Sequence, residues 1–192
     1  MTPATGDRPV ILAVGTSLTA GYGLDPDDAW PSLLQKRIDA AGLPHRVVNA
    51  GVSGETSAGA LRRMDWLLRQ PVAVFVLETG ANDMLRGQDV EATRANVDAI
   101  LARAGRASPP PRLVVLGMRA APNLGAEYVG RFASIYADAA RTHDAVLVPF
   151  VLEGVAGSPR LNQADGVHPT AEGQRIIAET VWRALESRLR TR

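Results

Sequence analysis

The 192-residue sequence has no cysteine, and only one of its 21 basic residues, Lys36, is a lysine. The lack of cysteine excludes a disulfide framework, a thiol nucleophile and a thiolate metal site. The 20 acidic residues leave a formal charge of +1, so the chain has no bulk attraction to nucleic acid or to an anionic membrane surface. We therefore expect no nucleic-acid partner.

Long apolar runs are also missing. No run approaches the roughly 20 residues that a bilayer-spanning helix needs, so we expect no stable membrane insertion. The first residues do not combine a basic segment with an apolar one, so no signal peptide is visible. This absence fits a cytoplasmic protein, and it fits equally an exported protein whose leader has been removed.

The rest of the composition is typical of a globular protein. Hydrophobic residues make up 46% of the chain and charged residues 21%, which excludes a disordered or collagen-like protein. At roughly 100–200 residues per domain, the length predicts a single domain over residues 1–192. A chain of this length buries about 70% of its unfolded surface and needs no covalent staples.

Five short β-rich runs alternate with segments of helical spacing. Most of the runs are continuously apolar, which is typical of strands that are buried on both faces of a parallel sheet. Strict β-α alternation predicts a three-layer α/β/α sandwich whose functional loops lie at the carboxyl ends of the strands. The predicted strands are Val10–Gly15, Arg46–Gly51, Ala73–Gly80, Arg112–Gly117 and Ala145–Phe150.

Apolar spacing predicts the helices between these strands. The second helix is marked by Leu61, Met64, Leu67 and Leu68. The three tryptophans fall at helical spacing with core residues, so we expect Trp30, Trp66 and Trp182 in the core.

Each of the first three strands ends in a polar segment that contains glycine. Ser17 follows the first strand, and a serine hydroxyl needs a base within hydrogen-bond reach to act as a nucleophile. Near the C-terminus, Asp165 and His168 are three residues apart, so the carboxylate can hold one imidazole nitrogen while the other faces Ser17. These residues predict a Ser-His-Asp triad.

Acyl transfer also requires donors for the oxygen that becomes negative. Gly54 lies in the turn after the second strand, where the missing Cβ lets a substrate approach its N–H group. Asn82 follows the third strand and carries an amide that can donate from the side. With the N–H group of Ser17, these residues predict an oxyanion hole with three donors.

These segments resemble the ordered blocks of the SGNH (GDSL-type) hydrolases, and within them the thioesterase I/lysophospholipase/arylesterase branch. The resemblance covers about residues 10–186 and rests most clearly on Gly15-Thr-Ser-Leu-Thr-Ala-Gly-Tyr-Gly23, Asn49-Ala-Gly-Val-Ser-Gly-Glu-Thr56, Gly80-Ala-Asn-Asp-Met-Leu-Arg-Gly87 and Asp165-Gly-Val-His-Pro169.

The resemblance implies a flavodoxin-like parallel sheet with strand order 2-1-3-4-5 and no metal or organic cofactor. It implies Ser17 as nucleophile, His168 as base and Asp165 as its partner, with Gly54 and Asn82 joining Ser17 in the oxyanion hole. In that branch, the segment holding Met84 and Leu85 contacts the acyl chain, so both residues are candidate substrate contacts.

One position departs from the family pattern. The residue before the nucleophile is Thr16, where the family usually has Asp. The substitution removes a charge beside the serine and a hydrogen-bond anchor of its loop. Because Asp165 is intact, we expect an altered rate or pH profile and not an inactive enzyme. A second variation is Glu78-Thr79-Gly80, where close relatives commonly have an apolar residue before the glycine, and it leads to no further expectation.

The sequence therefore predicts a serine esterase for short or medium acyl or aryl esters, with thioesters as a further substrate class. A carbohydrate O-deacetylase on the same scaffold and a binding protein with weakened catalysis remain as alternatives. An α/β-hydrolase is disfavoured because the second glycine of the G-x-S-x-G elbow is missing after Ser17. The phosphate-binding glycine motifs are absent, and Asp165 and His168 alone are a weak metal-ligand set.

Overall fold

A five-stranded parallel sheet forms the centre of the computed structural model, which describes residues 8–190. The strand order is β2-β1-β3-β4-β5, as predicted. The strands are β1 (Val10–Gly15), β2 (Arg46–Gly51), β3 (Val74–Glu78), β4 (Arg112–Leu116) and β5 (Val146–Val148).

Eight α-helices and two short 3-10 helices connect the strands in the described part of the chain. The α-helices are α1 (Ser17–Ala20), α2 (Trp30–Ala40), α3 (Ser57–Arg62), α4 (Met64–Leu67), α5 (Ala81–Leu85), α6 (Val90–Gly105), α7 (Ala126–Thr142) and α8 (Ala171–Arg190); the 3-10 helices are Pro26–Asp28 and Pro122–Leu124. Helix α2 packs on α8, and α6 packs on α3 and α7, which gives the two outer layers of the predicted sandwich.

The central strands carry the core. Every residue of β1 and β3 is buried, because each strand has a neighbour on both sides and helices above and below. Leu12 lies in register between Val48 of β2 and Phe75 of β3. Strand β2 is only half-buried, since it forms an edge of the sheet. The parallel register brings the loops after β1, β2 and β3 to the same edge.

Three predicted strands are longer than the observed ones. Strand β3 ends at Glu78 because Gly80 turns the backbone with φ +101° and starts α5. Strand β5 ends at Val148, before Pro149, which has no N–H group to donate to a ladder. Strand β4 ends at Leu116, one residue before the predicted boundary.

The prediction of one continuous second helix is wrong. The structure has two short helices, α3 and α4, separated at Arg63, whose ψ of 2° lies outside the helical range. The Arg63 guanidinium is held by the Glu55 carboxylate at 2.6 Å and by the Ala50 carbonyl at 2.7 Å. These contacts hold Arg63, where the two helices separate, against the end of β2.

The prediction that Trp66 lies in the core is also wrong. The buried positions keep helical spacing across the break, at Ala60, Met64 and Leu67, and Trp66 lies off that face and is 64% exposed. The same prediction is confirmed for Trp30 and Trp182, which are buried.

Candidate active site

Ser17 lies at the point where β1 passes into α1. Thr16 is extended and Ser17 is the first residue of the short helix. The first N–H groups of a helix have no partner within the helix, so the Ser17 N–H is available to a ligand. The chain reverses tightly here: Gly21 takes φ +76°, and the Tyr22 N–H donates to the Ser17 carbonyl at 3.0 Å.

The structure brings Ser17, His168 and Asp165 into one chain of hydrogen bonds. His168 Nε2 is 3.0 Å from Ser17 Oγ, and His168 Nδ1 is 2.7 Å from Asp165 Oδ2. Because the carboxylate accepts, this geometry favours the tautomer with the proton on Nδ1, which leaves Nε2 free to accept a proton from Ser17. The arrangement supplies a hydroxyl, a base and a group that orients the base.

Asp165 also builds the turn that carries the histidine. Its Oδ1 accepts from the Val167 N–H at 2.9 Å and from the His168 N–H at 3.0 Å. The hydrogen bond from the His168 ring, followed by these two backbone donors, lowers the pKa of Asp165 to about 2. The carboxylate therefore stays ionised at neutral pH, as an orienting group for imidazolium must.

The two other predicted oxyanion donors lie in neighbouring loops. Asn82, in the first turn of α5, donates from Nδ2 to the Glu55 carbonyl at 3.0 Å, which orients its amide. Gly54 precedes that carbonyl by one residue and has φ +78°, a conformation that favours glycine. The Arg86 guanidinium donates to the Gly54 carbonyl at 2.9 Å and so restrains this turn.

A cleft of about 490 Å³ opens beside Ser17 and His168. Asn82 lines it, whereas Gly54 is not among the lining residues in the described part of the chain. Met84 and Leu85 both line the cleft, with Leu85 60% exposed at its rim. The larger apolar side chains that line it are Leu18, Met84, Leu85, Met118, Pro122, Phe150, Leu152 and Val167.

A buried carboxylate beside the nucleophile was missed by the sequence analysis. Glu78, at the end of β3, accepts from the Thr16 N–H at 2.8 Å, from Thr16 Oγ1 at 3.0 Å and from Thr19 Oγ1 at 2.9 Å. Burial raises the pKa of Glu78, and the hydrogen bonds from Thr16 and Thr19 oppose that rise. The signal was present in the sequence, because Glu78 is the single charge in an otherwise apolar strand.

This contact changes the interpretation of Thr16. The sequence predicts that the loop loses an anchor and a neighbouring charge with the family's aspartate. In the structure the loop is anchored through the Thr16 hydroxyl, and the carboxylate comes from β3 instead.

Asp83 joins the loops on the other side of the site. Its carboxylate accepts from the Ser57 N–H at 2.8 Å and from the Ser57 hydroxyl at 2.5 Å, and the residue is buried. This contact fixes the start of α3 against α5 and thereby supports Asn82. Thr56 caps α3 by accepting from the Gly59 N–H.

Residues 8–190 contain neither a metal-ligand cluster nor a membrane-spanning helix. No three histidine, aspartate or glutamate side chains in this range are grouped closely enough to hold a metal ion. No helix in it is long and apolar enough to span a bilayer.

Comparison with known proteins links the sequence and the fold to a family. Residues 13–176 match the GDSL-like Lipase/Acylhydrolase family. The chain is 41% identical to "Esterase TesA" of Pseudomonas aeruginosa over 92% of its own length and 87% of that protein. It is 36% identical to "Thioesterase 1/protease 1/lysophospholipase L1" of Escherichia coli over 92% of its own length and 83% of that protein.

A solved structure gives the same result in three dimensions. The crystal structure of AlinE4, described as an SGNH-hydrolase family esterase, superimposes with a TM-score of 0.79 at 41% identity, covering 96% of each chain. Sequence, fold and the order of the motifs agree, and the chain belongs to the GDSL-like lipase/acylhydrolase family.

Proposed function

We propose that the chain acts as a single domain that hydrolyses carboxylic esters through Ser17, His168 and Asp165. The observation that carries the proposal is the continuous hydrogen-bond chain from Asp165 through His168 to Ser17, at the mouth of an apolar cleft. The named relatives are an esterase and a thioesterase/lysophospholipase, which supports the same class of reaction.

The first half of the reaction forms an acyl-enzyme. Ser17 Oγ attacks the acyl carbonyl and its proton passes to His168 Nε2, while Asp165 stabilises the imidazolium. The Ser17 N–H, the Gly54 N–H and the Asn82 amide donate to the oxygen of the tetrahedral intermediate. His168 then gives its proton to the leaving alcohol, or to the thiol of a thioester, and the C–O or C–S bond breaks.

The second half returns the enzyme to its starting state. Water gives a proton to His168 Nε2 and attacks the Ser17 ester carbonyl. Collapse of the second tetrahedral intermediate releases the carboxylic acid, and His168 returns the proton to Ser17 Oγ. No step requires a metal or an organic cofactor.

The walls of the cleft indicate the substrate class. Met84 and Leu85 of α5 line the cleft together with Met118 and Phe150, which follow β4 and β5, so an acyl or aryl group would replace water against apolar side chains. A carbohydrate deacetylase needs several polar groups there, whereas Arg119 is the one charged side chain of the described lining outside the proposed triad. The lining therefore supports small-molecule esters with an apolar acyl or aryl group, and thioesters of the same acyl groups.

The test is hydrolysis of p-nitrophenyl esters from acetate to decanoate by wild type and Ser17→Ala. We expect turnover by wild type and loss to background in Ser17→Ala, while Ser53→Ala, an exposed serine in the neighbouring turn, retains activity. Wild-type protein that is silent on every chain length would contradict ester hydrolysis. Activity that survives in Ser17→Ala would contradict the assignment of the nucleophile.

A further inference from the structure

The nucleophile of the proposed triad comes from one end of the chain, and the base and its carboxylate partner come from the other end. Ser17 and His168 are 151 positions apart, and their side chains meet at 3.0 Å. Ser17 begins the short helix α1 after β1, and His168 lies in the irregular segment before α8. A contact of this kind needs something that holds the two segments together.

The Gln163 side chain makes such a connection. Its Nε2 donates to the Tyr22 carbonyl at 2.8 Å and to the Pro169 carbonyl at 3.0 Å. An amide nitrogen has two protons, so both donors are used. One hydrogen bond reaches the segment that follows Ser17 and the other reaches the residue next to His168.

Backbone hydrogen bonds extend this connection to both reacting residues. The Gln163 N–H donates to the His168 carbonyl at 2.7 Å, which closes the turn that carries Asp165. On the other side, the Tyr22 N–H donates to the Ser17 carbonyl at 3.0 Å. The path from Ser17 through Tyr22 and Gln163 to His168 therefore consists of hydrogen bonds and short pieces of chain.

The residues at positions 22 and 23 pack closely around the Gln163 amide group. A Cβ on Gly23 would lie 2.5 Å from Gln163 Oε1, so a side chain at position 23 would displace the amide. The Tyr22 ring lies against the His168 ring, with centroids 4.5 Å apart, and is itself 52% exposed. The same tie that holds the Tyr22 carbonyl thus keeps an aromatic face over the imidazole.

From these contacts we infer that Gln163 is a positioning residue, which sets the distance between Ser17 Oγ and His168 Nε2 by tying the Tyr22 carbonyl to the His168 turn. The inference rests on the proposed function for its kinetic consequence. A second amide, the buried Gln174 of α8, donates to the Leu18 carbonyl at 3.0 Å and holds α8 against α1.

The test compares Gln163→Met, which keeps the length of the side chain and removes both donors, with Gln35→Met. Gln35 is a matched control because its amide also ties backbone segments, donating to the His45 carbonyl and accepting from the Val47 N–H, but far from Ser17. We expect Gln163→Met to lower kcat about ten- to a hundredfold with KM little changed, because small misplacements of reacting groups are costly. Gln35→Met should keep the wild-type kcat.

A crystal structure of Gln163→Met supplies a readout that does not depend on turnover. We expect the distance from Ser17 Oγ to His168 Nε2 to exceed the hydrogen-bond range, beyond about 3.2 Å. Unchanged kcat together with an unchanged distance would overturn the inference, and so would a loss of kcat equal to that of Gln35→Met. If wild type hydrolyses no ester, the proposed function fails, and the distance alone still decides the role of Gln163. Gln163→Ala is the alternative variant if Gln163→Met does not fold.

Discussion

The Asn82 side chain supplies the one donor of the proposed oxyanion hole that a substitution can remove, because the other two donors are backbone N–H groups. Its amide is oriented by the Glu55 carbonyl and lines the cleft beside Ser17. Asn82→Ala should lower kcat by about 10²–10³. KM should change little, because the donor acts on charge that develops in the transition state.

Steady-state kinetics on a p-nitrophenyl ester measures this effect. Asn123→Ala, at an exposed asparagine outside the cleft lining, is the matched control. If kcat for Asn82→Ala equals that of the control, Asn82 has no part in binding the oxyanion.

Thr16 and Glu78 form a buried contact beside the proposed nucleophile. Thr16 is 1% exposed, and its hydroxyl lies 3.0 Å from both oxygens of the buried Glu78 carboxylate. Thr16→Asp places a second carboxylate in this site. When two carboxylates are in contact and shielded from water, each disfavours the ionisation of the other, and the pKa of one carboxyl group rises. The folded variant should therefore keep a proton on this pair at a pH at which the unfolded chain has already released it.

The sign of the pH effect follows from that raised pKa. A group with a higher pKa in the folded state stabilises the fold at low pH, and this stability is lost as the pH rises through the folded pKa. We expect the urea midpoint of Thr16→Asp to fall further below wild type at about pH 8 than at about pH 5. Thr16→Ser, which keeps the hydroxyl, should track wild type. A deficit of the same size at both pH values would show that the two carboxylates do not interact.

Among the secondary-structure elements, the face that each helix turns towards the core decides which tryptophans stabilise the protein. Trp66 is 64% exposed and Trp30 is 1% exposed. Trp30→Ala should therefore lower the free energy of unfolding by about 3–5 kcal/mol. Trp66→Ala should change it by no more than about 0.5 kcal/mol. Urea denaturation measures both values, and similar losses in the two variants would contradict the observed orientation of α4.

The break between α3 and α4 could not be predicted from the sequence. Proline or glycine normally marks the end of a helix, but the break falls at Arg63, between an arginine and a methionine. It depends on contacts of the Arg63 guanidinium with Glu55 and with the end of β2. Such contacts have no local signature, so the apolar spacing suggested one continuous helix.

For the whole molecule, the sheet could be predicted because its signals are local. The apolar runs of β1 and β3 and the alternation with helices indicate a parallel sheet, and the family motifs supply its strand order. The candidate site is predictable to the same degree: Asp165 and His168 are three residues apart, and Ser17 directly follows a strand.

The contacts by which distant segments support the reacting residues could not be predicted. Glu78 meets Thr16 only because β3 lies beside β1, and Gln163 meets Tyr22 across 141 positions. Sequence identifies the reacting groups of this site, whereas the groups that hold them in place emerge only from the packing of the whole chain.

The most direct measurement is labelling of the whole protein with a fluorophosphonate, followed by mass spectrometry to locate the modified residue. Such probes react with a serine that an adjacent base activates. We expect a label on Ser17 in wild type, no label in Ser17→Ala and much slower labelling of His168→Ala. A wild-type protein that stays unlabelled, or a label at another residue, would contradict the claim that Ser17 and His168 form the reactive pair.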